Sequence, residues 1–82
     1  MVKEIGEVEH FFTNLNVAAI KLKGSLSVGD KVKIKGATTD FEQKIESIQI
    51  DKNNVEKANN GDEIGIKVTN RVREGDIVYK LD

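Results

Sequence analysis

The chain has 82 residues, 38% of them hydrophobic, and its 14 acidic and 13 basic side chains leave a net charge of −1. That length holds one domain with one core, burying about 60 to 65% of the unfolded surface, and the balanced charge provides no whole-molecule field to draw in nucleic acid. Without cysteine there are no disulfides or thiolate metal clusters, which points to a reducing cytoplasm, and with no apolar leader or run of about 20 apolar residues, export and membrane insertion are not expected.

In chain order, residues 2 to 13 alternate, with Val8, His10 and Phe12 on one face and Glu7, Glu9 and Phe11 on the other. This predicts a half-buried strand. Asn14-Leu15-Asn16 interrupts it, and residues 17 to 23 resume the alternation, where the pair Ala18-Ala19 marks a crowded site. After Val28-Gly29-Asp30, the segment KVKIKG puts Val32 and Ile34 on one face and Lys31, Lys33 and Lys35 on the other. Phe41 and Ile45 share a parity that Ile48 and Ile50 do not, which predicts a one-residue β-bulge near Glu46 or Ser47. The pattern fails from Asp51 to Asn60, where a short turn of helix fits. It restarts with Ile64, Ile66 and Val68 and ends in IVYKL.

There is no proline, so glycine, asparagine and aspartate must shape the corners. Gly29-Asp30, Gly61-Asp62 and Gly75-Asp76 each precede a strand. Glycine supplies a left-handed corner, and the aspartate carboxylate accepts backbone N–H groups. The outward Gly65 implies a bulge or a close backbone neighbour. Short strands with closely spaced turns and no amphipathic helix predict an all-β fold. We expect a single domain over 1–82, a small closed antiparallel β-barrel of six to seven strands, since closure removes exposed sheet edges.

The run VAAIKLKGSLSVGDKVKIKG, the strand KIESIQI, the segment VEKANNGDEIGIKV and the closing VREGDIVYK resemble the second domain of translational GTPases of the elongation factor Tu class. The resemblance covers about Ile5 to Leu81 and implies a stand-alone, non-catalytic binding module of the translation apparatus, with tRNA, rRNA or a translation-related protein as partner. A similar barrel is also appended to unrelated enzymes such as U32-type peptidases, which gives the alternative of an accessory or protein-interaction module without RNA binding. No G-x-x-x-x-G-K-[ST] loop is present, so no nucleotide cofactor is expected. In the elongation factors this domain helps hold the aminoacyl end of tRNA. The matching positions here are Gln49, Glu63 and Lys52, where the family has an acid, an asparagine and an arginine, so that role does not carry over simply.

Two further groups of residues are candidates. Between residues 21 and 35 stand five lysines, Lys21, Lys23, Lys31, Lys33 and Lys35, and one aspartate, a local balance of +4. They form either a phosphate-tracking surface or a solvated face paired with Glu7, Glu9, Glu42 or Glu46. The loop from Asp51 to Gly61, with one of Phe11 and Phe12 exposed by their opposite parity, is the candidate protein contact. His10, the only histidine, reads as a core or rim residue bonded to backbone, because one imidazole without cysteine makes no zinc site. No serine, histidine and aspartate can be assigned catalytic roles, so neither an enzyme nor a metal or other cofactor is expected.

Overall fold

In the computed structural model, which describes residues 2–81, ten strands follow one another. They are β1 (Val2–Phe12), β2 (Val17–Leu22), β3 (Leu26–Ser27), β4 (Lys31–Lys35), β5 (Asp40–Lys44), β6 (Ile48–Ile50), β7 (Asn53–Val55), β8 (Lys57–Ala58), β9 (Glu63–Lys67) and β10 (Ile77–Leu81). Eight form an antiparallel sheet in the order β5-β4-β10-β1-β2-β9-β6-β7, and β3 pairs with β8 in a separate ribbon. The all-β class agrees with the sequence. The closed barrel of six to seven strands does not, because the sheet is open and ends at β5 and β7.

The reason lies at residues 45 to 47. Instead of the predicted bulge inside one strand, the chain leaves the ladder there and changes partner: β5 pairs with β4, and β6 pairs with β9 and β7. Ile45 and Ile48, of opposite parity, are therefore both buried. The seam between β5 and the end of β9 carries a side-chain bridge. Gln43 Nε2 donates to the Lys67 carbonyl at 2.9 Å, and the Thr69 N–H donates to Gln43 Oε1 at 2.9 Å. In an antiparallel strand, the C=O of one residue and the N–H of the residue two further on point the same way. The Gln43 amide thus occupies the place of a neighbouring peptide unit.

Sixteen buried apolar residues form one core, including Ile5, Val8, Ile20, Leu22, Ile34, Ile48 and Ile66. Each of the larger ones contributes about 1.5 to 3 kcal/mol relative to exposure. Leu26 and Ala58 face each other in the β3–β8 ribbon and join the same core. No helix occurs among the described residues, and the stretch expected to hold a turn of helix instead forms β7 and β8. Among the described residues no helix is therefore long and apolar enough to cross a membrane.

The three Gly-Asp corners share one geometry. Gly29, Gly61 and Gly75 have φ of 97°, 93° and 91°. The N–H groups of Ser27, Asn59 and Arg73 donate to Oδ2 of Asp30, Asp62 and Asp76 at 2.9, 2.8 and 2.9 Å, while each aspartate N–H donates back to the same residue's carbonyl at 3.0 to 3.1 Å. Asp76 is buried, and Gly36 makes room for it: a Cβ there would overlap Oδ1 and lie 2.6 Å from Cγ.

In β1 the register shifts between Val8 and His10, which inverts the parity beyond that point. His10 is therefore exposed and Phe11 packs on the core, whereas Phe12 faces solvent at 45% exposure. His10 Nδ1 lies 3.2 Å from Glu74 Oε2, and its ring meets Phe12 edge-on at 4.5 Å. The expected core or rim histidine bonded to backbone is corrected accordingly.

Two stability measurements check this framework. Replacing Gln43 by leucine keeps the volume but leaves the Lys67 carbonyl and Thr69 N–H without their partner, and should lower unfolding stability in urea by about 1 to 3 kcal/mol; an unchanged midpoint would show that the seam does not need the bridge. The two-residue β6–β7 turn has φ of 51° at Asp51 and 66° at Lys52, as a type I′ turn requires. Lys52→Gly should therefore raise stability by about 0.5 to 1 kcal/mol, and a loss would contradict the strain assigned to this corner.

Candidate functional site

The five candidate lysines do not share one field. Strands β2 and β4 are separated by β1 and β10, so Lys21 and Lys23 are not on a hairpin neighbour of Lys31, Lys33 and Lys35. Each also faces a carboxylate. Lys23 Nζ lies 3.1 Å from Glu4 Oε2, Lys31 Nζ 3.5 Å from Glu42 Oε1, and Lys33 Nζ 3.6 Å from Asp40 Oδ1. Lys21 sits between Glu7 and Glu63 in register, and Lys35 lies opposite Asp40. Exposed pairs of this kind contribute little stability, typically about 0.2 to 1 kcal/mol, but they cancel the local charge on which phosphate tracking depends.

The other candidates converge. Gln49, Lys52 and Glu63, chosen from different stretches of the sequence, line one groove of about 390 Å³ together with the exposed Phe12. Its floor follows from the ladder, where Ala19 pairs with Gly65, and Gly65 with Gln49, on the outer face of the sheet. Here the pair of alanines divides its work: Ala18 is fully buried, while Ala19 forms the outer floor. Gly65 lies in a regular ladder rather than a bulge; its near neighbour is a side chain, since a Cβ there would stand 3.2 Å from Val17 Cγ1.

The walls come from two hairpin ends. Between β1 and β2, the Leu15 N–H donates to the Phe12 carbonyl at 3.1 Å and Asn16 turns through φ of 54°, which lifts Leu15 to 64% exposure. On the opposite side stand Gln49, whose Nε2 donates to Asn54 Oδ1 at 3.1 Å, and the turn residues Asp51 and Lys52. Glu9, Asp51 and Glu63 outnumber Lys52 among the charged lining. The arrangement is an apolar trough with an acidic rim, suited to holding an apolar group beside a cation. It contains no nucleophile paired with a base.

Leu15 and Val17 were not singled out in the sequence, although an apolar residue between two turn-forming asparagines was a signal for Leu15. Of the predicted Asp51 to Gly61 loop, only Asp51 and Lys52 reach the groove. Among the described residues, no group of three or more histidine, cysteine, aspartate or glutamate side chains is placed to hold a metal ion.

No protein-family model matches the chain. It is 43% identical over 79 residues to an uncharacterized protease of Methanocaldococcus jannaschii, a match covering 95% of this chain and 19% of the relative. It is 38% identical over 80 residues to a collagenase of Porphyromonas gingivalis, covering 95% of this chain and 22% of the relative. The chain thus spans about a fifth of the length of the curated relatives it matches. Among solved structures, the C-terminal domain of a Geobacillus thermoleovorans protein described as a U32 peptidase superposes with a TM-score of 0.91 at 20% identity, covering 98% of this chain and 93% of that one. Its selenomethionine variant gives 0.89.

These findings overturn the likeness to the second domain of translational GTPases, and with it tRNA, rRNA or a translation-related protein as partner, because relatives in sequence are proteases and neighbours in structure come from a U32 protein. The fold of this chain is the fold of a U32 C-terminal domain.

Proposed function

We propose that this chain is an accessory, non-catalytic domain that acts with a U32-type peptidase catalytic region, in the same polypeptide or as a separate chain, and that its apolar groove is the surface through which it contacts polypeptide. The observation that carries the reading is the 43% identity to a protease across 95% of the chain. The groove supports it by supplying an exposed apolar surface, with Phe12 at 45% and Leu15 at 64% exposure, that the fold itself does not use. Exposed apolar patches rimmed by polar groups are the usual sign of a contact surface.

Bond cleavage is assigned to the larger remainder of such a peptidase. The only histidine of this chain is engaged by Glu74 and Phe12 rather than by a hydroxyl, and there is no cysteine to serve as nucleophile. A cysteine-free chain suits the reducing cytoplasm.

A graft tests the proposal. Removing from the Porphyromonas gingivalis collagenase the region that matches this chain should raise KM for collagen about tenfold with little change in kcat, the signature of lost uniform binding. Inserting this chain there should restore KM, whereas a Phe12→Ser, Leu15→Ser version should not. The isolated chain should leave collagen intact. Hydrolysis by the chain alone, or a deletion that lowers kcat at constant KM, would overturn the accessory assignment.

A further inference from the structure

The groove continues beyond its acidic rim. A second hollow of about 260 Å³ adjoins it, shares Leu15, Val17, Gln49 and Gly65 with it, and ends at Lys67 and Ser47. The two hollows form one trough along β9. Glu63 and Lys67 mark its two ends, with Gly65 between them on the same outward face. Four residue steps of strand separate those ends, about 13 Å, the span of roughly four residues of extended chain.

Charge is distributed unevenly along this length. One end has three carboxylates, Glu9, Asp51 and Glu63, against the ammoniums of Lys52 and of Lys21, which lies opposite Glu63 in register, a local balance of −1, and the other end has the ammonium of Lys67. A segment lying in the trough is therefore favoured with its cation at the Glu63 end and disfavoured with an acid there. Between the ends, Ala19 and Gly65 face each other in register, and their small size lets a backbone or an apolar side chain approach closely. Phe12 and Leu15 are the wall against which that side chain packs.

We propose that the trough binds an extended polypeptide segment that carries lysine or arginine at the Glu63 end, followed by an apolar side chain over Gly65. The proposal rests on the reading of the groove as the polypeptide-contacting surface and names the segment it selects. Nucleic acid is disfavoured here, because its phosphates would meet the carboxylates at one end and have only Lys67 at the other.

Titration of the ¹⁵N-labelled 82-residue chain tests this directly. The probe is the acetylated, amidated peptide Gly-Arg-Gly-Leu-Gly, whose arginine and leucine share a face when extended, compared with the same peptide carrying glutamate for arginine. The arginine peptide should produce saturable shifts at the amides of Leu15, Ala19, Lys52 and Gly65, with binding that weakens as salt is raised. The glutamate peptide should bind at least about fivefold more weakly. Asp51→Lys with Glu63→Lys, both on the surface, should weaken the arginine peptide about tenfold while preserving the dispersion of a folded spectrum. Gly65→Ala, which sets a methyl into the floor, should weaken both peptides.

No saturable shifts at these amides, or equal binding of the two peptides, would overturn the proposal. Shifts there that grow with protein concentration before peptide is added would overturn it in favour of an interface between two copies. A failed titration alongside a successful collagenase graft would remove this specificity and leave the accessory role standing; a successful titration with a failed graft would keep the peptide site and remove its link to collagen cleavage.

Discussion

An open sheet of eight strands in a chain this short must still protect its core beside its edge strand β5, where the end of β9 approaches. Here one side chain spans that line. Gln43 is buried at a position whose strand neighbours Phe41 and Ile45 pack against or within the core, and its amide meets a carbonyl and an N–H two residues apart on one backbone. A backbone ladder would require β5 to continue parallel to the end of β9. The chain instead bends away at residues 45 to 47 to let β6 join the far side of the sheet. A long side chain spans a gap that a strand cannot, because it reaches across while its own backbone stays paired with β4.

Much of the framework follows from local chemistry, and for that reason it was legible. Each Gly-Asp corner depends on residues within four positions of one another: a glycine at positive φ and a carboxylate returning to an N–H three residues earlier. The inward apolar residues of β4 and β9, Val32 with Ile34 and Ile64 with Ile66, are likewise fixed by simple alternation.

What escaped the sequence depends on partners distant along the chain. The bulge between Val8 and His10 moves the histidine outward and Phe11 inward; alternation alone cannot show it, since bulged and regular strands have the same composition. The opening of the barrel depends on which strand receives β6. A glutamine on the inward parity between Phe41 and Ile45 was nonetheless a signal, since a buried amide requires partners at both ends. Strand order also undid the lysine patch. Two runs of alternating lysine separated by a short turn look like a hairpin, yet two strands from the opposite ends of the chain, β1 and β10, lie between them.

The groove was legible only in pieces. The elongation-factor resemblance that points to Gln49, Lys52 and Glu63 does not hold for this chain, yet the three do share a surface. The physical reason is that they flank one point of close approach, the Ala19–Gly65 pair, where the outer face of the sheet carries almost no side-chain volume. A depression of this kind needs no catalytic chemistry to persist, only two small residues in register and two hairpin ends beside them. The core on the opposite face constrains neither. The floor and the rim are therefore separable in physical terms: small residues in the ladder set the depth, whereas the charges on Glu9, Asp51 and Glu63 can change without disturbing the packing beneath them.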